Sequence, residues 1–309
     1  MKKIAPYLVI LAAVLWGVMG IFVRRLETMG LGTMEIVAIR VAATAIVMMG
    51  FLMFYDRSLL KIKPRDLWLF LFNGLVSVML FNFSYYKTMS LTSLSVAAVL
   101  LYTAPIMVMM MSAIIFKERI NAQKLAALGL AFGGCVFVTG VLGNASSISA
   151  LGLGTGLLAG FGYALYSIFG TLIMKRNYHP LTVTAYTFFI ASFVVVPMSD
   201  LQAIGEVASM GGGMLLYLLA FALVSSILPF SLYTVGLSHM ETSKASIIAS
   251  VEPVVATIVG VLVFHEAITV AGIFGICLVL SAVVLLNMKV HLPHRTAKRQ
   301  MAAMAKQHI

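Results

Sequence analysis

From residue 4 to residue 288 the chain runs as long apolar stretches broken by short polar ones. A helix needs about 20 apolar residues to cross the hydrocarbon core of a bilayer. Cut to that length, the pattern predicts ten spans: 5–23, 34–54, 67–87, 94–116, 122–141, 150–174, 182–198, 213–238, 245–264 and 268–288. The seventh is short and is broken at its end by Pro197. The eighth is long and carries Pro229, which predicts a tilt or kink there. The first stretch follows Lys2 and Lys3, as in a signal peptide. It is too long for one, lacks a small-x-small cleavage pattern and is followed by further spans, so it is read as a retained first helix.

The second half of this pattern repeats the first. Ala97 to Pro105 leads on to Phe116-Lys117-Glu118-Arg119-Ile120, and Ala245 to Pro253 leads on to Phe264-His265-Glu266-Ala267-Ile268. At a constant offset of 148, Pro105 falls on Pro253, Phe116 on Phe264, Glu118 on Glu266 and Ile120 on Ile268. At an offset of 147, Trp16 to Gly20 falls on Tyr163 to Ser167. Five spans per half is an odd number, so the second half enters the membrane from the opposite side. The expected fold is an all-α membrane protein of ten transmembrane helices in two inverted five-helix repeats, 1–146 and 147–290, with a basic tail at 291–309. Inverted halves that rock about a central site are the signature of a secondary transporter.

Composition agrees. Hydrophobic residues make up 61% and charged residues 10%, against about 45–50% and about 25% in soluble domains. Lipid is therefore the solvent for most of the chain, and the 21 Met residues suit irregular helix contacts. The net charge of +11 is unevenly placed. With a cytoplasmic N-terminus, seventeen Lys and Arg fall on inner segments and three, Arg24, Arg25 and Lys87, on outer ones. The positive-inside rule then puts both termini in the cytoplasm. The charge reflects topology, so no nucleic-acid partner is expected. The tail is expected to lie on anionic lipid. Cys135 and Cys277 lie in apolar runs and form neither a disulfide framework nor a metal cluster. No cofactor motif, Walker A loop, zincin pair after His265-Glu266 or hydrolytic triad is present, which argues against an enzyme. The sequence sets no oligomeric state.

In Leu15-Trp16-Gly17, in Ile39-Arg40, in Pro105 with Phe116-Lys117-Glu118-Arg119, and in Glu252-Pro253 with Phe264-His265-Glu266, the chain resembles the drug/metabolite transporter superfamily, specifically its ten-helix EamA-type members. The resemblance covers about residues 4–288. It implies a secondary transporter of small organic molecules in the cytoplasmic membrane, most often an exporter, with amino acids and related metabolites, nucleosides or drugs as solutes. Tyr163-Ala164 stands where the first repeat has Trp16-Gly17, a departure from strict symmetry.

Candidate site residues follow from depth and type. Glu252 lies about seven residues into the ninth span, roughly 10 Å deep by helical rise. A carboxyl near the bilayer centre costs roughly 2.5–3.5 kcal/mol, so it faces a cavity or a partner. It is a candidate proton or solute site, with hydrogen bonding to a neighbouring helix as the structural alternative. Its repeat counterpart is Ala104. Arg40, in the outer half of the second span, is placed to fork a carboxylate, to pair with Glu252 or to snorkel outward. Pro105 and Pro253 remove mid-helix donors, breaks that lipid tolerates only where they face protein or a cavity. Trp16, Tyr102, Tyr163 and Tyr166 suit a pocket for a small zwitterion or aromatic compound, and Ser250 adds a hydroxyl. Glu118 and Glu266 read as structural helix-end positions, with gating as the alternative. Gly129-x3-Gly133, Gly152-x3-Gly156 and Gly156-x3-Gly160 predict close helix packing. The leading expectation is export of small metabolites such as amino acids by alternating access, with proton coupling as an open variant. Export of hydrophobic cations or drugs, and a sensor or accessory subunit without flux, are the alternatives.

Overall fold

The computed structural model describes residues 1–141 and 149–288. The expected repeat junction at 146/147 and the tail at 291–309 lie outside the described residues. Among the described residues all regular structure is helical. In chain order the helices are α1 (Ala5–Thr28), α2 (Thr33–Tyr55), α3 (Pro64–Leu91), α4 (Ser95–Ile115), α5 (Ala122–Val138), α6 (Ala150–Lys175), α7 (Pro180–Val195), α8 (Leu201–Ala208), α9 (Gly212–Leu237), α10 (Thr242–Phe264) and α11 (Val270–Asn287). Eight of them are long and apolar enough to cross a membrane. Two shorter apolar helices, α5 and α7, of 17 and 16 residues, lie where the two remaining expected spans fall. Side chains close several helix starts: Asn121 accepts from Lys124 N at 2.8 Å, Ser149 from Gly152 N at 3.0 Å and Thr269 from Gly272 N at 3.0 Å. At a membrane boundary these caps satisfy donors that lipid cannot. Large apolar side chains such as Ile46, Phe54, Ile114, Leu216 and Leu262 point outward, as a lipid-facing surface requires.

The extra helix α8 was not expected. Asp200 caps it, accepting from Gln202 N and Ala203 N, and Val207 anchors it beside Leu31, Ile36 and Phe221. It is too short and isolated for a hydropathy pattern to register.

The two halves interleave. The pair α3–α6 has its mate in α1–α9, and α4–α6 in α1–α10. The pairs α2–α7, α4–α10 and α5–α11 each join a helix to its own counterpart. These five pairings are symmetric, whereas the packing of α7 on α9 has no comparable mate between α2 and α3, and the centre is walled by both halves. Glycine sets the closest approach at α5–α11, where a Cβ on Gly275 would stand 2.6 Å from the Gly134 carbonyl oxygen. Along α6, Cβ atoms on Gly152 and Gly160 would crowd Thr92 and the Leu100 carbonyl, so that stripe packs closely as expected. The expected close packing at Gly129 and Gly133 is not found, because both meet open space.

Several helices are interrupted at membrane depth. In α4 the straight pieces end at Leu101 and resume at Ala104, and in α10 they end at Ala249 and resume at Glu252. Pro105 and Pro253 sit in the first turn of each resumed piece, where no intrahelical donor is needed. A π-helical turn interrupts α3 at Phe72–Ser77 and α9 at Leu223–Ile227. The turn in α9 lies just before Pro229, where a kink was expected. The turn in α3 has no proline beside it, so proline alone does not explain the pair.

Gly275→Leu is expected to destabilise the protein by about 1–3 kcal/mol through overpacking, read as a lower unfolding temperature in detergent. Gly133→Leu, facing open space, is expected to change it little.

Candidate functional site

A cavity lies where α1, α2, α3, α6, α7 and α9 meet. Half of its lining residues are aromatic: Trp16, Phe81, Tyr163, Tyr166, Phe188, Phe230 and Tyr233. Phe230 is the hub, with ring centroids 5.1 Å from Trp16, 5.1 Å from Tyr166 and 4.8 Å from Phe188, all edge-to-face. That geometry sets the positive edge of one ring on the negative face of the next. The space open to water is about 50 Å³, room for a few water molecules. A solute of amino-acid size therefore requires these rings to swing or the helices to part.

The hydroxyls behind the rings are already engaged. Tyr166 Oη bonds Thr234 Oγ1 at 2.9 Å, and Ser167 Oγ bonds Tyr233 Oη at 2.7 Å. Asn73 Nδ2 donates to Thr187 Oγ1 at 2.6 Å, and Asn82 Nδ2 to the Val78 carbonyl at 2.7 Å. These bonds fix helix faces and leave little free polarity in the wall.

Arg40 is the exception. It reaches the same cavity, and Nη1 donates only to the Met19 sulfur, at 3.4 Å. Its buried Nε has no partner, and among the described residues no ion pair includes it. An unpaired guanidinium in an apolar wall is costly and marks a place where a negative group would bind well.

The structure brings Trp16, Arg40, Tyr163 and Tyr166 onto one wall. Glu252, half-buried at the start of the resumed piece of α10, lies next to that wall. Its carbonyl touches α1 at Gly17, and its carboxylate lies within electrostatic range of the Arg40 guanidinium. Tyr102 packs behind it with Cys135, Val251 and Val254. Pro105, Ser250 and Pro253 are buried at the helix breaks and line the cavity directly at no point. Phe188, Phe230, Tyr233 and Ser167 share the wall but were not singled out from the sequence. Phe and Ser are common inside spans, and only helix rotation shows which of them face inward.

A second polar cluster closes one face of the protein, the face that carries Lys2 and Met288, called here the N-face. Glu118, just beyond α4, accepts from the backbone of α10 at Thr242 N (2.7 Å) and Ser243 N (3.2 Å), and from the Ser243 hydroxyl. Lys124, 2% exposed, lies 3.5 Å from Glu118 and 3.3 Å from Glu241, and Lys244 pairs with Glu241 at 2.9 Å. Burial alone would push the Glu241 carboxyl up. The Lys244 hydrogen bond and the charges of Lys124 and Lys244 outweigh it and hold the group below its ordinary value. On the same face Asp66 accepts from Arg176 at 2.8 Å and from Tyr178 at 2.9 Å. In the sequence Lys124 counts only as one of the inner-side cations. Its burial was invisible because its partners come from 118 and 241.

The pattern of the EamA-like transporter family matches the chain twice, over residues 3–140 and 150–288. The chain belongs to the EamA-like transporter family. This transporter is a multi-pass membrane protein and not an enzyme. A protein of Archaeoglobus fulgidus named as an uncharacterised transporter is 26% identical over 90% of this chain and 94% of its own length. A threonine/homoserine exporter of Escherichia coli is 28% identical over 81% of this chain and 80% of its own. An inner membrane transporter of Salmonella typhimurium, also named as uncharacterised, is 24% identical over 91% and 94%. A protein of known crystal structure superposes with a TM-score of 0.75 over 93% of this chain and 97% of its own, at 15% identity, a likeness of fold.

Arg40→Met is expected to leave the unfolding temperature of this EamA-like transporter unchanged or raised, since it removes an unpaired cation. It is expected to weaken binding of a solute carboxylate by about tenfold or more. A marked fall in unfolding temperature would show that the protein itself, not a solute, satisfies the guanidinium.

Proposed function

We propose that this chain is a secondary transporter of the cytoplasmic membrane that exports small organic metabolites, amino acids in particular, by alternating access. The observation that carries this reading is the half-buried Arg40, whose buried Nε has no partner, on the wall of an aromatic cavity, with Glu252 beside that wall. A cation on the cavity wall and a carboxylate beside that wall match the two charges of a zwitterion. The carboxylate of the solute takes the Arg40 fork and its ammonium sits towards Glu252. The similarity to a named threonine/homoserine exporter supports the same solute class. The N-face is read as cytoplasmic, because twelve of the described Lys and Arg fall on that side and three, Arg24, Arg25 and Lys87, on the other. The repeats are read as 1–146 and 147–290, and the tail at 291–309 as resting on anionic lipid.

Glu252 is also the proposed proton site. A carboxyl that meets the solute ammonium in one state and is reached by water in another exchanges one cation for the other, which couples solute and proton flux. Hydrophobic-cation export is the weaker reading, since Arg40 repels a cation from the same wall.

Counterflow in proteoliposomes tests the proposal, with labelled threonine, homoserine, an aromatic amino acid, a nucleoside and a lipophilic cation, each with and without a pH gradient. Amino-acid exchange that responds to the gradient is expected, with the response lost in Glu252→Gln. Exchange of the lipophilic cation alone would overturn the solute assignment. Amino-acid exchange that ignores the gradient in wild type and variant alike would overturn the coupling role of Glu252.

A further inference from the structure

The two helix ends at Phe116–Glu118 and Phe264–Glu266 are built alike. Lys117 and His265, at equivalent positions, both adopt the left-handed conformation, with φ of 56° and 55°. Each turn closes with the same backbone bond six residues back, Glu118 N to Ser112 O at 3.3 Å and Glu266 N to Gly260 O at 3.1 Å. Each Phe is covered by a cation from the first helix of a repeat, Lys175 over Phe116 at 4.1 Å and Arg24 over Phe264 at 3.9 Å. The local geometry therefore presents the two glutamates in the same way.

Their partners differ. Glu118 crosses to the other half and caps the start of α10 at Thr242 and Ser243. By the offset of 148, the mate of Ser243 is Ser95 at the start of α4. Glu266 pairs instead with Arg24. Helix packing shows the same asymmetry. The resumed piece of α4 packs on the first piece of α10 towards the N-face. Towards the opposite face the first piece of α4 packs on α3 and α6, while the resumed piece of α10 packs on α1 and α5. The crossed pair α4–α10 is closed at the N-face end and spread at the other.

We infer that Glu118 and Glu266 are alternating latches of the transport cycle. Glu118 holds the N-face shut by capping α10. In the opposite-facing state Glu266 leaves Arg24 and caps α4 at Ser95, shutting the other face. Charge-assisted hydrogen bonds to a helix N-terminus suit this task. They are strong, favoured by the helix dipole and separable as a unit. The supporting charges exist at one end only: the mates of Lys124, Glu241 and Lys244 are Gly272, Ser93 and Val96. Ser93 moreover already caps α4, accepting from Val96 N at 3.3 Å. The N-face latch is therefore the stronger, and the resting protein is closed at the N-face.

This rests on the alternating-access reading, yet its readout needs no solute, so a failed transport assay and a failed latch are separate results. Spin-label distances would be measured in the full chain in liposomes, with Cys135 and Cys277 replaced by Ala. One label pair, at Arg119 and Ser238, reports the N-face, and another, at Ser90 and Ala267, the opposite face. The wild type is expected to show a short N-face and a long opposite-face distance. Glu118→Gln is expected to raise the N-face-open population about tenfold or more, with the opposite-face distance shortening in the same population. Adding Glu266→Gln is expected to remove that shortening. Ser243→Ala, which deletes one donor only, gives a milder opening should Glu118→Gln fail to fold. Distances unmoved in both Glu118→Gln and Ser243→Ala, or a shortened opposite-face distance insensitive to Glu266→Gln, would overturn the inference.

Discussion

The bilayer supplies no hydrogen bonds, and that constraint shapes everything else in this protein. Each polar group at membrane depth must find a partner inside the fold or face an enclosed space. The hydroxyls and amides of α3, α6, α7 and α9 do the first, tying one half to the other through Asn73–Thr187, Tyr166–Thr234 and Ser167–Tyr233. The helix breaks in α4 and α10 are held on the protein side, where α6 and α1 cover them through Gly160 and Gly17. Among the described residues, Arg40 is the charged group on the cavity wall that is left short of partners. A cost that the fold does not remove is the physical mark of a site that something else completes.

The interleaving of the halves gives that site its position. Because each helix of one repeat packs on a helix of the other, the cavity wall draws Trp16, Arg40 and Phe81 from the first half, and Tyr163, Tyr166 and Phe230 from the second. A relative movement of the halves changes both the cavity and the contacts at its two ends. The charged cluster around Lys124 weights that movement, since it stabilises one end and has no equivalent at the other.

Much of the fold is legible in the sequence, because hydropathy, charge placement and the offset between Glu118 and Glu266 report long-range regularities. Interruptions are less so. Pro105 and Pro253 announce the breaks in α4 and α10, whereas the π-helical turn at Phe72–Ser77 has no proline to mark it. The short helix at Leu201–Ala208 is lost among the polar residues of its connection. At the site, depth and residue type single out Trp16, Arg40, Tyr163 and Tyr166, but Phe230 and Tyr233 need the rotation of α9. The latch is hidden for a further reason. Glu118 and Lys124 look like ordinary interfacial charges until the fold delivers the start of α10 and Glu241 to them.

The central claim is that the Arg40 cavity is where the solute is held. A structure determined with a transported amino acid bound tests it most directly. The account predicts the solute carboxylate on the Arg40 guanidinium, its ammonium towards Glu252 and its side chain among Trp16, Tyr166 and Phe230. A bound solute that leaves Arg40 without contact would contradict it.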